Sequence, residues 1–183
     1  NDLLAGAALG KERFVNEVRD FQKTTGGVID PHCCYLLLRG LKTLSIRVAR
    51  QNATALTVAK FLEKHPRIKK VYYPGLKSHR DHQIAKAQMR GFGGVVTFDV
   101  DGDSATTQKV LENLKLCYVG PSLGGVETLI THPASISYYD MTRDERYAIG
   151  ITDGLVRLAV GVEDAEDIIA DLEQALAAVF KKG

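Results

Sequence analysis

Leu155-Val156-Arg157-Leu158-Ala159-Val160 is the run that most limits what this chain can fold into. Apart from its arginine it is apolar and rich in β-branched residues, the composition of a buried strand. Burying an unpaired guanidinium costs several kcal/mol, so Arg157 needs an anionic partner. Its planar fork suits a carboxylate held through two parallel hydrogen bonds, and it stays charged at any workable pH. The partner can be a structural Asp or Glu, or the carboxylate of a ligand. Two flanking segments bear on that choice. Gly161-Val162-Glu163-Asp164 leads from the strand into a long amphipathic helix, and Ser122-Leu123-Gly124-Gly125-Val126-Glu127 begins thirty-five residues upstream of the arginine.

With 183 residues and 45% hydrophobic content, the chain can bury the core of one domain, or of one domain plus a piece of another. Its net charge is only +2, with no face-sized basic block, which argues against nucleic acid as a partner. Arg67-Ile68-Lys69-Lys70, the densest basic cluster, reads as a solvated link between elements. No apolar run approaches the ~18 residues of a membrane span. Cys33, Cys34 and Cys117 provide no disulfide framework, because vicinal pairing is strained; they read as free thiols.

Residues 1–10 are small and apolar, suiting a strand or turn at a domain edge. Glu12 to Gln22 carries a helical stripe of Phe14, Val15, Val18 and Phe21. Asp30 can cap a helix with Pro31 at its first position. From Pro31 to Glu63 the pattern predicts one long helix, bent at Gly40 and ended by His65-Pro66. Strands are expected at Lys70–Tyr73, Gly93–Val100, Leu116–Val119, Glu127–Thr131 and Leu155–Val160. Helices are expected at Ser78–Met89, with Ser78 and Asp81 as a capping box, at Ser104–Leu114, at Thr142–Ala148 with a second capping box, and at Ala165–Val179. This alternation predicts an α/β or α+β layer, with helices on one face of a mostly antiparallel sheet.

Several motifs read as structural. Gly91-Phe92-Gly93-Gly94 follows a helix and precedes a strand, the reverse of a nucleotide loop, so it is a tight connection. Asp99-Val100-Asp101-Gly102-Asp103 starts like a calcium loop but has Val110 where the bidentate Glu belongs. His79 and His82 lack a third ligand. His132, before Pro133, is a lesser candidate for lining a site. Ser122 differs from these: Pro121-Ser122-Leu123-Gly124-Gly125 joins a strand to a glycine turn, where a hydroxyl and backbone amides can face a ligand.

Four motifs, in order, resemble one family. They are Tyr35-Leu36-Leu37-Leu38-Arg39-Gly40-Leu41-Lys42-Thr43-Leu44, Val71-Tyr72-Tyr73-Pro74-Gly75-Leu76, Ser122 to Glu127, and the strand around Arg157. The family is the pyridoxal-phosphate (PLP) enzymes of cysteine and methionine metabolism, which includes cystathionine γ-synthase, the cystathionine γ- and β-lyases and methionine γ-lyase. The resemblance runs from Asn1 to about Ala178. It implies an aspartate-aminotransferase-like (fold type I) architecture, with residues 1–45 as the tail of the large PLP-binding domain and 46–183 as the small C-terminal domain. The catalytic Schiff-base lysine is expected about six residues before Asn1, so the resemblance places neither a catalytic nor a cofactor-binding residue within this sequence. It also implies a C-terminal fragment of a longer enzyme.

The resemblance assigns substrate binding to Arg157, for the α-carboxylate, to Ser122 beside it, and to Pro121 and Ser137. Pro121 and Ser137-Tyr138-Tyr139-Asp140 are similar to the plant-type cystathionine γ-synthase pattern, from which Leu123 and Thr128 depart. The implied reaction is γ-replacement of an activated homoserine ester by cysteine. The alternatives are elimination reactions that release cysteine or homocysteine, as in the cystathionine γ- and β-lyases, or another C–S or C–N lyase of the family. The cofactor is PLP. The implied assembly is a homotetramer, and the compartment is the cytoplasm or, for a plant protein, the plastid stroma. A non-catalytic regulatory or assembly module sharing this domain is the alternative from another class.

Overall fold

The computed structural model describes residues 3–180. In the strand β2 (Val95–Val100), Val96, Phe98 and Val100 are buried and the residues between them half-buried. That period of two turns one face to a core and leaves the other partly open. In β5 (Leu155–Ala159) every residue except Arg157 is buried, as a strand covered on both faces requires. β1 (Ile68–Tyr72) pairs antiparallel with β2, β2 with β5, and β5 with β4 (Leu129–Thr131), while β4 and β3 (Tyr118–Val119) run parallel. The sheet order β1-β2-β5-β4-β3 places the arginine-bearing strand at the centre. The mostly antiparallel sheet expected from the sequence is present.

Three helices supply the other half of the core. α3 (Leu44–Lys64) turns Ala55, Val58, Ala59 and Leu62 inward, and α8 (Ala165–Val179) turns Ile168, Leu172, Ala175 and Leu176 inward. Both sets follow three- and four-residue steps, so each forms one continuous stripe. With Val110 and Leu111 of α5 (Ser104–Glu112), the stripes meet Val96, Phe98, Val156, Leu158 and Ile130 in a single cluster.

The chain divides into two compact units, residues 1–45 and 46–183. Within the first, α1 (Glu12–Thr25) and α2 (Pro31–Leu41) bury no residue, and Phe14, Val18 and Phe21 remain exposed. Asp30 caps α2 as expected, accepting from the amides of His32 and Cys33. Leu3–Gly10 form no strand, and Asn1 and Asp2 lie outside the described residues.

The structure corrects several boundaries. The long helix expected from Pro31 to Glu63 is two helices, α2 and α3, broken at Lys42-Thr43 rather than bent at Gly40. Gly40 weakens the last turn of α2 by about 1 kcal/mol relative to alanine, and the Lys42 amide closes it with a three-residue bond to Arg39. Ser78 caps nothing: its hydroxyl donates to Glu63, and α4 (His82–Gln88) starts four residues later. Asp81 sits at the N-cap, but its carboxylate turns to Arg80 and makes no cap bond. β3 is shorter than expected because the amides of Lys115, Leu116 and Cys117 are taken by Asp171. A short helix, α6 (Pro133–Ile136), appears where none was expected. The capping box of α7 (Arg143–Ala148) is present as read, with Thr142 and Glu145 bonding each other's amides.

Candidate carboxylate site

Across the sheet, Thr97, Arg157 and Thr131 stand directly opposite one another on β2, β5 and β4. Opposed residues of an antiparallel pair share a face, and theirs is the face away from the core cluster. The Arg157 Nη2 donates to the carbonyl of Pro121 at 2.6 Å and to that of Ser122 at 3.0 Å. Its two hydrogens are thereby used. Nε is buried with no hydrogen-bond partner, and among the described residues no carboxylate pairs with Arg157. The structural ion pair left open by the sequence is therefore absent among those residues. A buried donor left unpaired costs about 1–3 kcal/mol, and more when it belongs to a charged group. Both parallel-donor edges of a guanidinium include Nη2, so a two-pronged grip on a carboxylate requires one loop carbonyl to give way.

The loop that supplies those carbonyls is fastened at its other end. Thr128, fully buried, donates its amide to Glu163 Oε1 at 2.6 Å and its hydroxyl to Oε2 at 2.7 Å. The same hydroxyl accepts from the Gly161 amide at 2.9 Å. Val162 N–H donates to the Val126 carbonyl, and the buried Gln51 of α3 donates to the Gly125 carbonyl at 2.8 Å. Gly161 is required here, since a Cβ at that position would lie 2.2 Å from the Val126 carbonyl oxygen. Gly124 supplies the loop's left-handed turn at φ 77°. Thr131 tethers the loop's start through a hydroxyl bond to the Gly120 carbonyl.

Of the residues singled out by sequence, Arg157, Pro121 and Ser122 are brought together, the last two through their carbonyls. Ser137 is the exposed residue that closes α6, the helix that packs against β5, and its amide bonds the Pro133 carbonyl. His132 is a buried structural residue: Nε2 bonds the Asp153 carbonyl at 2.9 Å and Nδ1 meets the Ser135 hydroxyl at 3.0 Å. Burial lowers its pKa, helped by Arg146 and opposed by Asp153, so the ring stays neutral and donates from Nε2. Asp153, at the foot of β5, pairs with Arg146 at 2.9 Å and Arg143 at 3.0 Å.

Sequence reasoning missed Gln51, Glu163 and Asp171 as buried or half-buried polar anchors. Two of them were signalled: Gln51 lies four residues before Ala55, and Asp171 three after Ile168, so each falls on the apolar stripe of its helix. Every described lysine is solvent-exposed, whereas a lysine that forms an imine needs a desolvated setting to lower its pKa. The described residues therefore fit a carboxylate and do not fit the anchoring of PLP.

A central-strand arginine held at the rim of a glycine-turn loop, with one donor left unpartnered, lies in a domain of α/β class. The chain's matches narrow that class. Residues 1–177 match the Cys/Met metabolism PLP-dependent enzyme family, and the chain belongs to it. It is 50% identical over 179 residues to chloroplastic cystathionine γ-synthase 1 of Arabidopsis thaliana, covering 98% of this chain and 32% of that protein. It is 48% identical over 177 residues to L-methionine γ-lyase of Fusobacterium nucleatum, covering 96% and 45%. The crystal structure of a cystathionine γ-lyase from Micromonospora echinospora superposes with a TM-score of 0.86 at 39% identity, covering 91% of this chain and 44% of that one. The chain thus spans from about a third to just under half of these relatives.

Proposed function

We propose that these residues form the substrate-carboxylate side of a longer PLP-dependent enzyme that makes cystathionine. In this reaction the Cγ–O bond of an activated homoserine ester is replaced by a Cγ–S bond to cysteine, and the ester's acid departs. Arg157 grips the substrate α-carboxylate and fixes the orientation of Cα. Ser122 and Pro121 define the rim beside it, and the family resemblance adds Ser137, which closes α6, to the substrate-binding residues. Residues 1–45 belong to the cofactor-binding domain and 46–183 to the small domain. The intact protein assembles as a homotetramer in the cytoplasm or plastid stroma.

The observation that carries this reading is the buried, unpartnered Nε of Arg157 on a central strand, with no carboxylate paired to that arginine among the described residues. The similarity to the Arabidopsis γ-synthase favours replacement. The nearly equal identity to a methionine γ-lyase supports elimination as the second reading. Incubating the full-length protein with an activated homoserine ester, with and without cysteine, separates them. Cystathionine formed in step with cysteine consumption is expected; a 2-oxo acid and ammonia at an undiminished rate when cysteine is added would favour the lyase.

A further inference from the structure

We propose that Glu163, acting through Thr128, is a positioning residue for substrate binding: it clips the Pro121–Glu127 loop so that Arg157 is presented to a carboxylate. The inference rests on the reading of Arg157 given above. Both Glu163 oxygens are spent on one residue, receiving the amide and the hydroxyl of Thr128 at 2.6 and 2.7 Å. Thr128 is saturated in return: its hydroxyl also accepts from Gly161, and its carbonyl accepts from Tyr118 at 3.0 Å. The clip is anchored as well, since Arg50 donates to the Glu163 carbonyl at 3.1 Å.

A carboxylate that only stabilised the domain could have sat anywhere along the sheet. This one holds the far end of the loop whose near end supplies the two carbonyls that accept from Arg157. The turn between them contains Gly124 and Gly125, so little within the loop itself sets its path. A substrate carboxylate that takes both donors of an Arg157 edge must move one carbonyl of this loop. The clip fixes where the loop pivots and which rotamer Arg157 keeps. Loss of the clip therefore appears as weakened substrate binding, because a misplacement of about 1 Å at a binding group can cost up to 100-fold.

The test uses the full-length enzyme with PLP bound and compares Thr128→Val, Thr128→Ser, Arg157→Lys and the two combinations with Arg157→Lys. Readouts are KM and kcat, the Kd of a non-reactive amino acid by calorimetry, and the melting temperature. Thr128→Val is expected to raise KM and Kd about 10-fold with kcat within about twofold, and Thr128→Ser to restore both. In the Arg157→Lys background, Thr128→Val should add less than about threefold, because its effect runs through the arginine. Glu163→Gln, which turns one acceptor into a donor facing a hydroxyl, should act in the same direction and serves if Thr128→Val does not fold. A lowered melting temperature with Kd unchanged overturns the proposal, as does a penalty equal in both backgrounds. If Arg157→Lys itself leaves Kd unchanged, the carboxylate reading fails first and the clip's role with it. If Arg157→Lys weakens binding and neither Thr128→Val nor Glu163→Gln does, only the clip is wrong.

Discussion

Asp171 and Arg157 are both charged side chains carried into the same unit, and they are treated in opposite ways. Asp171 lies on the buried stripe of α8 and receives four donors: the amides of Lys115, Leu116 and Cys117 at 2.8–2.9 Å and the Gln174 side chain at 3.0 Å. Its lone pairs are filled from within the protein. Arg157 receives two carbonyls on one nitrogen, and its Nε is left buried with nothing. A charge buried for stability is completed by its own fold, because each gap costs free energy. On the reading proposed for Arg157, a charge buried for binding is left open toward what it binds. The contrast is sharpest because both residues are carried by regular elements of the same core.

The largest effect expected from this contrast is kinetic. In the full-length enzyme, Arg157→Ala should remove about 3–5 kcal/mol of charge-assisted binding. At about 1.4 kcal/mol per decade, that is about two to four orders of magnitude in kcat/KM. Arg157→Lys should recover only part of it, since one ammonium lacks the fork. Steady-state kinetics and a melting curve on the same preparation decide the matter. A large loss of melting temperature with intact kinetics would make Arg157 a second Asp171 and break the comparison.

Asp171→Ala should do the reverse. Three backbone amides would be left without acceptors at the start of β3, costing about 3 kcal/mol of unfolding free energy by chemical denaturation. The kinetics of the protein that remains folded should barely change. Unchanged stability would show that water satisfies those amides and that completeness is no mark of structure.

The same carboxylate gives a pH signature. Burial pushes the Asp171 carboxyl up, but the amides of Cys117, Lys115 and Leu116, together with Gln174, outweigh it and hold the pKa below the usual 3.8. A group whose folded pKa is depressed contributes stability that is full above its unfolded pKa and is lost as pH falls through the folded one. Stability should therefore decline below about pH 4, and Asp171→Asn, which has nothing left to titrate there, should show a shallower acid limb. Parallel limbs in the two proteins would remove Asp171 from the acid response.

Most of the layered architecture was readable in the residues. Alternation in β2, the dense apolar run of β5 and the three- and four-residue stripes of α3 and α8 are side-chain patterns, and burial follows them directly. The break at Lys42-Thr43 was hidden because Leu41, Leu44 and Val48 keep the helical spacing across it. At the site, the arginine announced itself, since a guanidinium within an apolar strand has few explanations. Its partners did not: the carbonyls of Pro121 and Ser122 are backbone atoms that every residue possesses, so no residue type encodes them. The Thr128–Glu163 clip was obscured for a related reason. Its pairing depends on Gly161 letting the loop pass within reach of the strand's end, a proximity the sequence expresses only as one glycine.

The smallest expected effect comes from a polar cluster that is complete but exposed. Thr142 and Glu145 form the capping box of α7, with the Glu145 carboxylate accepting from both the amide and the hydroxyl of Thr142, at 2.9 and 2.7 Å. The Glu145 pKa is lowered by the Thr142 hydroxyl and amide. In water, lost cap bonds are largely replaced by solvent, so Thr142→Ala should cost about 1 kcal/mol. That is well under the loss expected at Asp171, although both carboxylates bind backbone amides. Thr142→Ser should be neutral within about 0.5 kcal/mol, because serine caps at least as well. Denaturation of the two Thr142 variants beside Asp171→Ala then measures what burial adds to completeness. Equal losses at Thr142 and Asp171 would mean that hydrogen-bond number alone sets the cost, and the unpartnered Nε of Arg157 would lose its value as a pointer to a ligand.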